Sequence, residues 1–354
     1  MTELRRQSLT AYAAPLAETV VACPQPRGTQ VLVRVARCGV CHSDLHMQDG
    51  YFRLGDDKKL DVRAGRTLPF TLGHEIAGVI ERLGEAAQGV APGAAVAVYP
   101  WIGCGDCAAC RRGDENICAA PRHLGINADG GFATHVLVPH PRYLIDHAGL
   151  PPSVAATLMC SGLTAYAALE RLAAQATLGP LLLVGMGGVG MMGLALARAL
   201  FAAAPLVADI DAAKRAAALQ AGAAAAFDPA DAGARKAVLA ATDGGVHGAC
   251  DFVGSERSLA FAAGALAKGG KVVVSGLFGG SFTMPVAMFA LKAVGIEGIQ
   301  TGTLAQARAL IGLARERNLS PPPISERPLG EAQAALDQLR GGGVIGRIVL
   351  TAQA

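Results

Sequence analysis

A chain of 354 residues is longer than one hydrophobic core usually organises, so two domains are the starting expectation. Its 31 basic and 28 acidic residues give a formal charge of +3 without a basic stripe, which excludes the electrostatic footprint of a nucleic-acid binder. The 45 glycines follow no collagen-like period and point instead to tight turns and close backbone approaches in an α/β chain.

At the N-terminus, Pro15 and Glu18 interrupt any apolar run, so no signal peptide is expected. The first 150 residues carry strand-like runs such as "VLVRVARCGV" and "AGVIERLG" between turn-rich segments. The stretch "CGVCHSDLH" packs two cysteines, two histidines, a serine and an aspartate onto one turn. It is followed by "GYFRLGDDKKLDVRAGRTLPF", whose mixed charges read first as a solvated loop. Next comes "CGDCAACRRGDENIC", with Cys104, Cys107, Cys110 and Cys118 in one loop. Four thiolates so close would close a tetrahedral site with no open position, so a structural zinc is expected. An iron–sulfur cluster is the rival tenant, although the ferredoxin run has a different fourth spacing and a following proline, where this chain has Ala119. Cysteine used this way in a chain this long favours a reducing compartment, hence the cytoplasm.

From Leu172 to Ala197 no residue is charged, but Pro180 and the glycines after it divide the stretch into strand, turn and helix, so no membrane span is expected. From about 160 to 300, apolar strands ("PLLLVGMG", "PLVADI", "GACDFVG", "GKVVVSGLFG") alternate with alanine-rich helical stretches, the pattern of a parallel sheet. Two helices and a closing strand, "VIGRIVL", complete the chain. Within "GMGGVG", Gly185, Gly187 and Gly190 stand in the G-x-G-x-x-G arrangement between a strand and a helix, with Gly188 and Val189 inside it. That context is what a dinucleotide fingerprint requires, because the backbone must approach a pyrophosphate at a helix N-terminus. Asp209 ends the next strand, where its carboxylate would accept ribose hydroxyls and repel a 2′-phosphate, so NAD is favoured over NADP.

Together, "CGVCHSDLH", "LGHEIAGVI", the four-cysteine lobe, "CSGLTAY", "GMGGVG" and "CDFVG" resemble the zinc-dependent medium-chain alcohol dehydrogenase superfamily over essentially the whole chain. "VYPWIGCGDC", "GLFGG" and the long segment before "GHE" resemble its 6-hydroxyhexanoate dehydrogenase-like subgroup. The resemblance implies an α/β protein: a Rossmann-type doubly wound sheet over 158–299, and a mainly β, GroES-like catalytic domain from 1–157 with 300–354. It also implies reversible NAD-linked oxidation of an alcohol, a primary aliphatic or ω-hydroxy acid one being favoured, to an aldehyde or ketone, and a homo-oligomer, by likeness to bacterial relatives a tetramer. A second, catalytic zinc would be held by Cys41, His74 and Cys160, with Glu75 a neighbouring carboxylate able to ligate transiently. Ser43 would accept the alcohol proton and pass it through the cofactor ribose to His46, while Asp44 would fix the ligand histidine. By the same resemblance His42 and Arg347 face the pyrophosphate, Lys214 the adenosine ribose and Thr164 the nicotinamide, and Phe52 and Trp101 form apolar walls near the zinc. A cation among Arg53, Lys58, Lys59, Arg63 and Arg66 would be available to hold a distant carboxylate. The alternatives are a zinc-free quinone or enone reductase of the same superfamily and a non-enzymatic zinc-lobe binding module.

Overall fold

The computed structural model describes residues 3–352. Short, wholly apolar strands in the second half, such as Leu182–Val184, are buried on both faces and pair in parallel, as expected where helices cover a sheet on both sides. The six parallel strands of this sheet lie in the spatial order Ala225–Phe227, Leu206–Ala208, Leu182–Val184, Val246–Asp251, Leu266–Val274, Gly295–Gly298. The order reverses between Leu182–Val184 and Val246–Asp251, which opens a ligand crevice beyond their carboxyl ends.

The first half is mainly antiparallel. Val31–Gly39 lies at its centre and pairs with Glu75–Leu83, His135–Val138 and the closing strand Arg347–Thr351. The chain therefore returns at its end to the sheet that carries the "CGVCHSDLH" turn, with Val349 opposite Gly39. A smaller sheet joins Glu3–Leu9 to Ala17–Ala22 and Phe70–Thr71.

Between the two systems runs Pro152–Arg171, a helical stretch not foreseen in the sequence. It is long and apolar enough to cross a bilayer, yet 89% of that window is buried inside the protein, so it is a core helix. It is buried around almost its whole girth, so it lacks the one-sided period by which a surface helix is recognised. Residues 157 and 158, the expected division between domains, lie within this run, where the helix passes into a π-turn over Leu158–Gly162. One continuous core extends from Val33 and Ile76 through Met159 and Leu163 to Met191 and Leu194.

The charged segment after residue 50 also differs from a loop. Tyr51–Gly55 and Lys58–Asp61 form a two-stranded hairpin, with Phe52 opposite Leu60 and Arg53 opposite Lys59.

Candidate active site

The "CGVCHSDLH" turn is held by one buried carboxylate. Cys41 is the N-cap of the helix His42–Asp49, and Asp44 Oδ2 accepts its backbone amide at 2.9 Å. Asp44 Oδ1 accepts the Gly73 amide at 3.2 Å and stands 3.2 Å from His74 Nδ1. A single side chain thus caps the helix and fixes the histidine of "GHE". Gly73 is required here: its φ is +91°, and a Cβ would collide with Phe132 and the Cys38 sulfur.

Cys160 arrives from the π-turn. Such a turn frees a backbone amide from the helical ladder, and here Glu75 Oε1 accepts the Ser161 amide at 3.0 Å. The other oxygen of Glu75 pairs with Arg347 Nη2 at 2.5 Å, both groups being buried. Cys41, His74 and Cys160 place one donor atom each within 4.8 Å of one another, the two sulfurs being 4.0 Å apart. Glu75 is not part of this convergence; its carboxylate braces the π-turn against Arg347, and the expected transient ligand is a brace in this structure.

Electrostatics suit a metal. The Cys160 sulfur, against burial, draws the Cys41 thiol well below its ordinary pKa, with help from His74. Cys160 itself is pushed well up by Cys41 and by burial. Burial alone would discharge His74, but Asp44 and the Cys41 sulfur hold its pKa well above the usual imidazole value. Nδ1 stands 3.2 Å from Asp44, and neither it nor the buried Nε2 has a hydrogen-bond partner of good geometry among the described residues. A buried orphan nitrogen facing two sulfurs is the donor set of a catalytic zinc, with room for a fourth ligand.

In the lobe, the sulfurs of Cys107 and Cys110 are 3.5 Å apart, those of Cys107 and Cys118 3.8 Å, and those of Cys104 and Cys110 3.9 Å. A tetrahedron of about 2.3 Å Zn–S bonds has edges of about 3.8 Å. The spacing fits one ion and is too wide for a disulfide, whereas a multi-iron cluster would spread its cysteines around a larger body. All nine cysteines are free. The sulfurs accept local backbone amides, Cys104 N to Cys118 at 3.2 Å and Ala120 N to Cys118 at 3.3 Å, and such amides draw Cys107 down to about 6. Glu115 anchors the loop, accepting from the Gly103 amide and the Tyr143 hydroxyl and pairing with Arg142.

At the crevice, a Cβ on Gly190 would fall on the Gly185 carbonyl oxygen, so only glycine lets the helix Gly188–Leu200 begin so close to the strand. Gly187 has open space where a Cβ would point, as an approaching phosphate needs. Asp209 accepts the Met186 amide at 2.6 Å and the Asp211 amide at 2.8 Å, leaving a further lone pair on each oxygen. Arg347 lies against Gly188 as well as Glu75, and so joins the fingerprint to the three-ligand site. Thr164 is buried on the helix Leu163–Arg171, Val189 and Lys214 are half-buried, and His42 is exposed at the start of its helix.

Trp101 packs against His74 with ring centroids 5.4 Å apart and planes inclined at 57°, and donates its indole N–H to the Met159 carbonyl at 3.0 Å, which places it against the three-ligand site. The Phe52 ring packs on His46, centroids 4.5 Å apart, and against the core cluster that includes Cys41, Trp101 and Cys160. Of the five cations, Arg63 closes on Asp61, Lys59 lies over the Tyr51 ring, and Arg66 folds inward onto the Val62 and Ile126 carbonyls and the Met47 sulfur. Arg53 and Lys58 have no ion pair among the described residues. The sequence reading missed Asp251, which accepts the Val253 and Gly254 amides and the Ser258 hydroxyl at the crevice; the glycine after "DFV" was the available signal. It also missed His123, buried edge-on against Trp101 and lowered to about 4 by burial.

Residues 27–148 match the alcohol dehydrogenase GroES-like domain, and 188–316 match the zinc-binding dehydrogenase family. The chain is 36% identical to an NAD-dependent alcohol dehydrogenase of Saccharolobus solfataricus, over 98% of this chain and 99% of that one. It is 37% identical to an NAD-dependent alcohol dehydrogenase of Sulfurisphaera tokodaii, with the same coverage. The alcohol dehydrogenase of Aeropyrum pernix superposes with a TM-score of 0.86 at 31% identity, over 98% of this chain and 99% of that one.

Proposed function

The chain belongs to the zinc-dependent medium-chain alcohol dehydrogenase superfamily, and from that premise we propose that it catalyses the reversible, NAD-linked oxidation of a primary alcohol. The observation that carries this reading is Arg347, which touches both the brace of the three-ligand site and the dinucleotide fingerprint. Metal chemistry and cofactor therefore meet in one crevice. Zinc bound by Cys41, His74 and Cys160 supplies a Lewis acid that polarises the alcohol oxygen and eases loss of its proton.

The protein's own groups do the rest. Asp44 keeps His74 Nε2 available, Glu75 holds the π-turn that presents Cys160, and Trp101 gives the substrate an apolar wall. Ser43 takes the alcohol proton and His46 receives it at the solvent edge; burial lowers the His46 pKa, so the imidazole is a neutral acceptor near pH 7. Gly187, Gly188, Val189 and the amides of the following helix receive the pyrophosphate, with Arg347 and His42 beside it. Asp209 and Lys214 hold the adenosine ribose, and Thr164 borders the nicotinamide. We assign residues 1–157 and 300–354 to catalysis and 158–299 to cofactor binding. A zinc-free reductase or a binding module would leave one or both of these sites without use.

Exposed Phe278, Val286 and Leu291 near the outer strand Gly295–Gly298 support a homo-oligomer, for which we expect a tetramer by sedimentation. Nine free thiols fit a cytoplasmic enzyme. Within the subgroup reading, the substrate is an unbranched ω-hydroxy acid whose carboxylate meets Arg53 or Lys58, the two hairpin cations that among the described residues have neither an ion pair nor an aromatic ring beneath them. The test compares 6-hydroxyhexanoate with 1-hexanol: kcat/KM should favour the acid by about tenfold, equivalent to about 1.4 kcal/mol, and Arg53→Ala or Lys58→Ala should erase the preference. Equal efficiency would remove the carboxylate grip and leave the general alcohol dehydrogenase activity. Absence of NAD reduction with every alcohol in the zinc-loaded protein would overturn the activity itself.

A further inference from the structure

His46 makes no side-chain hydrogen bond among the described residues, so its helix alone does not fix the ring. What packs on the imidazole is Phe52, on the first strand of the hairpin. The tip of that hairpin rests on the other half of the molecule. Ser281 donates to Asp56 Oδ2 at 3.1 Å, a Cβ on Gly55 would stand 2.7 Å from the Gly280 carbonyl carbon, and one on Gly279 would fall on the Arg53 carbonyl oxygen. Backbone meets backbone at a distance that only glycine permits, on both sides of the contact. The loop is in turn tied to the cofactor crevice: Phe278 N donates to the Val253 carbonyl at 3.0 Å and Gly279 N to that of Gly254 at 2.9 Å, and Val253 packs on Gly185 of the fingerprint.

We propose that Phe52 is a positioning residue for the proton-accepting His46, held over the imidazole by a clasp in which hairpin residues 53–56 lock onto Gly279–Ser281 of the cofactor-binding half. The orientation of the relay histidine is then set by the closed arrangement of the two halves, so proton removal is efficient only when the crevice around the cofactor is formed. The inference rests on the relay reading of His46. An apolar ring on one face also keeps water from the imidazole, acting in the same direction as the burial that lowers its pKa. The other groups acting on His46 are His42, Cys41 and Asp49 from its own segment and Arg340 from the C-terminal helix Ala332–Arg340; His42 and Arg340 lower it, and Cys41 and Asp49 raise it.

The experiment measures alcohol oxidation against pH in the zinc-loaded enzyme for Phe52→Ala, Phe52→Tyr, Asp56→Ala and His46→Gln. A neutral acceptor makes the rate fall on the acid side, through the His46 pKa. In Phe52→Ala the ring is hydrated, its pKa rises, and the acid limb should move up by about half a pH unit while kcat falls about fivefold and KM for NAD stays within about twofold. Phe52→Tyr keeps the ring and should restore the parent profile. Asp56→Ala, at the exposed tip, should shift the limb the same way by less, and His46→Gln should remove it. If Phe52→Ala and Asp56→Ala both match the parent while His46→Gln removes the limb, the clasp is overturned and the relay stands. If His46→Gln keeps the limb, the relay reading fails, and the clasp with it.

Discussion

In the lobe, four sulfurs come from residues 104–118 of a single loop and are held largely by that loop's own amides. In the cleft, three donors come from residues 41, 74 and 160, on three separate elements, and are held by buried charges, Asp44 from the turn of Cys41, Glu75 next to His74 and Arg347 from the closing strand. The lobe is partly exposed and complete with four thiolates; the cleft is buried and short of one ligand. Local construction gives a closed cross-link that stabilises a loop, whereas construction from distant elements gives an open site whose geometry depends on the whole fold.

That contrast can be broken at its strongest point first. Cys160→Ala should reduce turnover by more than the roughly 100-fold that loss of an outer partner costs, and lower zinc from two ions per chain to one, while NADH binding and the melting temperature stay near the parent's. Metal analysis, NADH fluorescence and a thermal scan check it; an active variant with two ions would dissolve the distinction between the sites.

Asp44→Asn tests whether the cleft depends on its outer charges. It keeps a hydrogen-bonding side chain but loses the charge beside His74, so activity or zinc affinity should fall about 10- to 100-fold. Competition with a chelator reads the affinity directly, and the lobe zinc should remain bound.

Asp209→Gly sharpens the comparison at the nucleotide end, which shares Arg347 with the cleft and nothing with the lobe. Loss of ribose hydrogen bonds should cost NAD at least about tenfold in kcat/KM, while NADP gains from removal of the negative charge. An unchanged NAD to NADP ratio would exclude the ribose role.

The smallest effect on catalysis is expected in the lobe itself. Cys107→Ala should leave the initial rate within about twofold and lower the melting temperature by about 5 °C or more, because a folded loop loses the ion that holds it. A stable variant with a lost catalytic zinc would reverse the two roles.

The lobe, the glycine fingerprint and Asp209 were legible in the sequence because few residues separate their parts, so spacing limits where the side chains can be. The strand–turn–helix around "GMGGVG" follows from glycines and an apolar run, and the parallel sheet from the repeated alternation of strand and helix. Cys41, His74 and Cys160 were named only through resemblance, since nothing local brings a turn, a strand end and a π-turn to within 4.8 Å. The same holds for Glu75, whose role as brace is visible only once Ser161 and Arg347 are seen on either side of it. The helix over 152–171 escaped because burial on all sides erases its period, and the hairpin because its charges resemble those of a solvated loop. The contact between Phe52 and His46 likewise depends on how the hairpin folds back, which no local spacing fixes. Short-range chemistry is fixed by covalent spacing and backbone geometry; which distant groups meet is decided by the shared core that packs the two halves together.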